Sequence, residues 1–252
     1  MGTPTDEFGT ENAMPNSLTC DNFLLKLISK NALAHDCSSI QEVSLVRGQT
    51  LFEKEVRLEH VYFPISAVAS RIYLATCGRT AEMGMVGREG VVGISLFLGG
   101  VHTYNEAIVH ADGRAVRMEA RAALEAFRQC DPFQVAVLRY ARTMMSQIAQ
   151  IAVCNSLHST EQRLCRWLLM TLDRTSTDEI GLSHQFIAQL LAVRRESITC
   201  ALSRLQGEGL IQYSNRRIKL LNRSGMQATA CECYSVIKSD HERLFDDRNA
   251  YF

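Results

Sequence analysis

No run of about 18 apolar residues occurs in the 252-residue chain, so no membrane-spanning helix is expected. The first twenty residues are polar, with Pro4 and Pro15 among several Thr and Asn, and lack the basic-then-apolar pattern of a secretion signal. A cytoplasmic protein with no membrane partner is expected. Net charge is lacking too, since 27 Lys and Arg stand against 27 Asp and Glu, and overall composition therefore points to no polyanionic partner. Catalytic signatures are missing: there is no Gly-x-Ser-x-Gly, no Walker loop and no His-Glu-x-x-His, which argues against a stand-alone enzyme and leaves no catalytic residue to name. Among nine cysteines and seven histidines there is no Cys-x-x-Cys and no His-x-x-x-His, so zinc is not expected. An odd, scattered set of cysteines reads as free thiols in a reducing compartment. The one close pair, Cys231-x-Cys233, is read as lying on a single helix, where sulfurs two positions apart face different sides and serve structure.

Residues 182–211 carry the strongest positive signal. Phe186, Ile187, Leu190 and Leu191 recur at helical spacing behind Ser183, a residue suited to an N-cap. After a break at Ala192-Val193, Ile198, Leu202 and Leu205 share one face of a second helix, closed by Gly207 and Gly209. The opposite face holds Arg195, Glu196, Thr199, Cys200, Ser203 and Arg204, and a positively rimmed helix of this kind fits the DNA major groove. Leu210–Tyr213 and Ile218–Leu221 read as two strands of a wing around Ser214, Asn215 and Arg216, with Asn215 suited to positive φ. Charge is concentrated here: residues 161–223 hold ten Lys/Arg against six Asp/Glu, a local excess of +4 on a neutral chain.

Ahead of this region the chain divides into three parts. Residues 1–17 read as a disordered tail, and Phe23, Leu24, Leu27 and Ile28 suggest a short amphipathic helix from Asp21 to about Leu33. Residues 40–119 show short β-branched and aromatic runs, among them Val61–Pro64, Val68–Leu74, Ala81–Val86, Ala107–His110 and Ala115–Met118. Glycine-rich turns separate them, the pattern of a β-sandwich or roll. Asp131-Pro132 then starts a long helix. In it Val137, Ala141, Met144, Ile148 and Ile151 alternate spacings of four and three, continuing to Asn155 and His158, as in a coiled-coil seam. That seam predicts a homodimer, the alternative being packing against the chain's own β-domain.

The order of parts, together with Val61-Tyr62-Phe63-Pro64, Met85 to Gly93, Glu161 to Leu169, the helix-turn-helix and Cys231-Glu232-Cys233-Tyr234, resembles the Crp/Fnr family of bacterial transcription regulators over nearly the whole chain after residue 18. The resemblance implies an α+β chain in five parts: the tail 1–17, a β-roll sensor similar to cyclic-nucleotide-binding domains over 18–130, and a dimerisation helix over 131–158. A winged helix-turn-helix over 159–223 and a C-terminal helix over 224–252 complete it. It implies a dimer on a pseudo-palindromic operator, with RNA polymerase as a further partner if the protein activates. In nucleotide-binding members a Gly-Glu pair follows the Gly-x-x-x-Gly turn and an Arg-Ser-Ala element holds the cyclic phosphate. Here Gly93 precedes Ile94, and Asn105-Glu106-Ala107 stands at the clamp. An anionic Glu106 beside a buried phosphate would cost several kcal/mol, so cyclic AMP and cyclic GMP are not expected to bind. The same absence argues against the competing class, a ligand-binding regulatory module or enzyme subunit working through the β-roll. Cys20 and Cys37 are too far apart for the family's N-terminal iron–sulfur cluster, and no cofactor is expected. The signal is left open among thiol oxidation at Cys20, Cys37, Cys77 or Cys130, another ligand, and constitutive binding.

For DNA the resemblance assigns base reading to Arg195, Glu196, Thr199 and Cys200, Cys200 standing where other members have Arg, so sequence preference differs. Arg195 is suited to guanine and Glu196 to cytosine, each at about 1–3 kcal/mol of discrimination. Arg194 replaces the usual capping hydroxyl. Ser183, His184, Gln185, Arg194, Ser203, Arg204, Arg216 and Arg217 are expected on the phosphate backbone.

Overall fold

The structure is a computed structural model that describes residues 21–28 and 39–244. The expected tail, Cys20 and Cys37 lie outside the described residues. Instead of an amphipathic α-helix from Asp21, the described part shows a single 3-10 turn, Leu25–Leu27, whose preceding residues are held by the buried Asn22 side chain. Its carboxamide oxygen accepts from the Leu24 and Leu25 amides while its nitrogen donates to the Pro64 and Gly90 carbonyls.

Among the described residues, seven strands, all paired antiparallel, form two sheets in the first unit. β1 (Ile40–Leu45), β7 (Gly113–Glu119) and β3 (His60–Pro64) make one sheet in that order. β2 (Thr50–Phe52), β6 (Glu106–Ala111), β4 (Val68–Leu74) and β5 (Thr80–Val86) make the other. The expected β-roll is thus present. Alternation of buried and outward residues along β3 and β7 aims Val61, Phe63, Val116 and Met118 into a core closed by α1 (Ala120–Gln129) and α2 (Asp131–Leu157). The Gly87–Gly90 turn needs its last glycine: a Cβ at Gly90 would lie 2.1 Å from the Tyr140 ring of α2.

α2 begins at Asp131 with Pro132 in its first turn, and the residue before it, Cys130, occupies the cap without a side-chain bond, so Asp131 acts as a first-turn acid and not as the cap. It ends at Leu157. His158 leaves the helical region, and Ser159 opens α3 (Thr160–Leu172) with a reciprocal capping box to Gln162. Next come β8 (Glu179–Gly181), α4 (His184–Leu191), α5 (Arg195–Gly207), β9 (Ile211–Ser214), β10 (Arg217–Leu220), α6 (Arg223–Thr229) and α7 (Cys233–Arg243). β8, β10 and β9 form a three-stranded sheet, so the wing carries one strand more than the two the spacing predicts.

The core of this second unit does not close on itself. Leu164, Trp167, Leu168, Ile187, Ile198, Leu202 and Leu205 pack in one cluster with Val68, Ile72 and Met85 of the β-roll. Polar groups cross the same joint. Trp167 Nε1 donates to Glu82 Oε2 at 3.1 Å, Ser70 Oγ lies 2.5 Å from that oxygen and 2.7 Å from His110 Nδ1, and Thr171 Oγ1 lies 3.3 Å from His110 Nε2. Burial pushes the Glu82 carboxyl above the usual carboxylate range and, with Arg174 nearby, pulls His110 down to about 3.

The expected dimer seam is corrected. Val137, Ala141, Met144 and Ile151 are buried against the chain's own β-roll and head, and Ile148 is half-buried there. Both arrangements use a hydrophobic stripe at spacings of three and four, so the pattern alone does not separate them. The open face of α2 lies one position further round, through Val135, Leu138, Met145, Val153 and Leu157; Met145 is 69% exposed where Met144 is 2%. Asn155 is exposed.

Candidate nucleic-acid interface

Ser183 caps α4 as its position predicts, its Oγ accepting the Phe186 amide at 3.2 Å. Ile187, Ala188, Leu190 and Leu191 are buried, and Ala192 ends the helix in the left-handed region at φ 53°. The tight turn lets α5 start at Arg195 directly after Ala192, Val193 and Arg194. Arg194 stands at its N-cap in extended conformation without a side-chain cap bond, as expected for a residue that displaces a capping hydroxyl.

Ile198, Ala201, Leu202 and Leu205 anchor α5, which leaves Arg195, Glu196, Cys200, Ser203 and Arg204 exposed, with Thr199 beside them on the same surface. The helix is therefore held from beneath while its polar side meets solvent. Glu196 in the first turn complements the positive helix end. The Thr199 hydroxyl lies 2.9 Å from His184 Nδ1 and donates to the Arg195 carbonyl at 3.2 Å, so its orientation is fixed within the protein. His184 stacks on Tyr213 of the wing with ring centroids 4.6 Å apart. Its partial burial, with Arg195 close by, holds its pKa below the ordinary histidine value, which favours a neutral ring.

The backbone-contact set is less uniform. Gln185 is exposed, Ser183 is committed to its cap, and Arg204 is ion-paired with Glu161 at 3.7 Å. At the wing tip Asn215 (φ 50°) and Arg216 (φ 62°) both take positive φ, the geometry of a two-residue hairpin turn. Arg216 is exposed there, while Arg217 pairs with Glu179 of β8 at 3.3 Å.

One neighbour had no sequence signal. The β4–β5 hairpin reaches the helix-turn-helix, with Thr80 Oγ1 donating to the Gln189 carbonyl at 3.1 Å. Arg79 with Gln185, Arg194 and Ser197 lines a groove of about 760 Å³ there. Nothing local in Arg79 or Thr80 reports a contact so far along the chain.

The cysteine pair is also differently placed. Cys231 precedes α7 and only Cys233 lies on it, so the premise of two sulfurs on one helix fails. Both turn toward Cys154 and His158 at the end of α2.

Residues 162–229 match the family model of the Crp-like helix-turn-helix domain. The transcriptional regulator LdrP of Thermus thermophilus is 32% identical over 132 residues, covering 47% of this chain and 68% of that protein. Similar folds occur in a CRP-family transcriptional regulator from the same organism (22% identity, 75% of this chain and 96% of that one, TM-score 0.59). FixK2 from Bradyrhizobium japonicum is a second (20% identity, 76% and 98%, TM-score 0.58). At those identities the two structures establish the fold alone.

Proposed function

Because the chain belongs to the Crp/Fnr family of transcription regulators, we propose that it works in the cytoplasm as a homodimer that places one α5 in each half of a pseudo-palindromic operator. The observation that carries the reading is the polar face of α5, presented to solvent over a buried Ile198, Leu202 and Leu205. Half-sites for two such helices lie about one DNA turn, roughly 34 Å, apart. Arg195 and Glu196 read base edges, Cys200 gives an apolar contact, and Thr199 acts from the position set by His184. Arg194, Gln185, Ser203 and Arg216 meet phosphates. The second copy docks on the open stripe of α2 through Leu138 and Met145. RNA polymerase is a further partner if the bound dimer activates.

Cyclic AMP is not the signal in this reading. Asn105 is buried with its side-chain Oδ1 accepting from the Thr103 hydroxyl at 2.9 Å, Glu106 beside it adds negative charge, and Ile94 is packed into the core. Nor does the reading include an iron–sulfur cluster.

Operator sequences selected from a random duplex pool test the proposal by fluorescence anisotropy. Arg195→Ala with Glu196→Ala is expected to flatten discrimination at the matching base pairs by about 1–3 kcal/mol each while a salt-dependent, non-specific affinity remains. An unchanged recovered motif in the double variant would refute base reading by these residues, and tight calorimetric binding of cyclic AMP would refute the ligand statement.

A further inference from the structure

Cys154 and His158 stand one turn apart where α2 ends, and Cys231 and Cys233 flank the entry to α7. Nothing in the regulator's DNA-reading chemistry uses them. One ligand atom from each lies within 4.8 Å of every other. Cys154 Sγ is 3.5 Å from Cys231 Sγ, and Cys233 Sγ is 3.5 Å from His158 Nδ1. A tetrahedral zinc ion with its usual bond lengths holds sulfur and nitrogen ligands about 3.5–3.8 Å apart. The four atoms therefore already lie near the vertices of such a site. Cys154 and Cys233 are completely buried and Cys231 nearly so, in a small cluster of their own apart from the two main cores.

The surroundings fit a bound cation. His158 turns Nδ1 inward and leaves Nε2 3.3 Å from the Glu232 carboxylate, the arrangement by which a carboxylate orients a ligating imidazole. Gln150 Nε2 donates to Cys233 Sγ at 3.1 Å. Three thiolates and an imidazole on a divalent ion carry one net negative charge. Two buried guanidiniums on α3, Arg163 and Arg166, stand close enough to act electrostatically on Cys154, and neither has a carboxylate partner within ion-pair distance among the described residues. Their Nε atoms lack hydrogen-bond partners as well.

We propose that Cys154, His158, Cys231 and Cys233 bind one zinc ion as a closed, four-coordinate structural site. The cross-link joins residue 154 to residue 233 and so encloses the whole winged helix-turn-helix. His158 is itself the residue at which α2 leaves helical conformation, one position before the Ser159 cap. The ion thus sits on the joint between the long helix and the head and pins α7 to it. Cys154-x-x-x-His158, at helical i, i+4 spacing, is the sequence signal for half of the site.

The full chain, purified under reductant and stripped of metal, is titrated with Co²⁺ and then Zn²⁺. One Co²⁺ per chain is expected, with the intense visible bands of tetrahedral sulfur-rich coordination, bleached by one equivalent of zinc. Cys154→Ala and Cys233→Ala lose the bands and Cys77→Ala keeps them. His158→Cys, which retains four ligands, keeps the ion with stronger sulfur-to-metal charge transfer. Glu232→Ala binds zinc about 10–100-fold more weakly. Failure of the wild-type chain to take up a stoichiometric ion overturns the proposal whatever the variants do. So does a spectrum unchanged in Cys233→Ala, or a Cys154–Cys231 disulfide as the sole state of the metal-treated protein.

Discussion

Replacing Arg174 by alanine removes the cation from a buried pair that joins the β-roll to the head. Its Nε lies 2.6 Å from Glu89 Oε1, both side chains are more than nine-tenths buried, and the same carboxylate oxygen accepts the Gly87 amide at 3.2 Å. Arg174 also donates to the Met170 carbonyl, and His241 Nδ1 stands 4.0 Å from Glu89. Breaking such a pair strands a desolvated charge, which costs about 3–5 kcal/mol. Exposed pairs are worth about 0–1 kcal/mol, so Arg142→Ala, which breaks the 3.0 Å contact to Asp240 from a 59% exposed side chain, serves as the control. Urea unfolding at fixed protomer concentration measures both. Burial by itself would raise the Glu89 pKa, but Arg174 and His241 outweigh it and the net shift is downward. A depressed folded-state pKa contributes stability above the unfolded value and loses it as pH falls through the folded one. Wild-type stability should therefore fall in acid below the ordinary glutamate value of 4.5, and Glu89→Gln should flatten that fall. Glu89→Gln combined with Arg174→Met should cost less than the two single changes added together. Equal, small losses for Arg174→Ala and Arg142→Ala would refute the argument from burial.

Two further outcomes rest on exposure and backbone geometry. If the chain pairs through α2 as proposed, Met145→Glu should leave each chain folded yet monomeric where the wild type is a dimer, whereas Met144→Glu, which places a charge in the β-roll core, should prevent folding; sedimentation velocity and circular dichroism separate the two, and a dimeric Met145→Glu or a monomeric wild type would refute the proposed interface. Arg216→Gly relieves about 1–2 kcal/mol of left-handed strain at φ 62°, offset by about 0.5–1 kcal/mol of glycine's extra chain entropy, so the wing should gain roughly 0.5–1 kcal/mol. It should also lower the salt dependence of DNA affinity by about one phosphate contact, read from the slope of log affinity against log salt.

Local chemistry made the head legible. Ser183 at a cap, a break before Val193, the Ile198, Leu202 and Leu205 stripe and Asn215 at a tight turn each depend on a few neighbouring residues, and each stands where its spacing implies. The strands β3 to β7 were readable for the same reason, through short β-branched runs between glycines. What escaped depends on distance along the chain. β8 completes the wing sheet from well upstream, before the helix-turn-helix begins. The stripe on α2 was visible, but which surface covers it is a matter of how the β-roll folds back, and periodicity is blind to that. Cys231 and Cys233 were misplaced because the link before α7 lacks a helix-breaking residue, and the approach of Cys231 to Cys154 spans 77 positions.

The joint between β-roll and head is more strongly tied than a pivot needs to be. Trp167 and Thr171 reach the Glu82, Ser70 and His110 group, Arg174 reaches Glu89, and Gln147 of α2 accepts the Met85 amide at 2.9 Å while its nitrogen lies 3.1 Å from His241 of α7. Each tie is wholly or largely buried, so turning the head about Ser159 would leave several polar groups without partners, and a group stranded in this way costs about 1–3 kcal/mol. A ligand or DNA site shifts a two-state equilibrium only by its difference in affinity for the two states. Any signal that reorients α5 has to supply several kcal/mol in that form, or else act where the ties are weakest. At the exposed rim of the joint, the Thr80 contact to α4 is a hydrogen bond beside an open groove. Only the Gly78–Thr80 tip of the β4–β5 hairpin can lift from α4 at low cost, because Ser70 and Glu82 on the same two strands are held in the buried group that Trp167 joins.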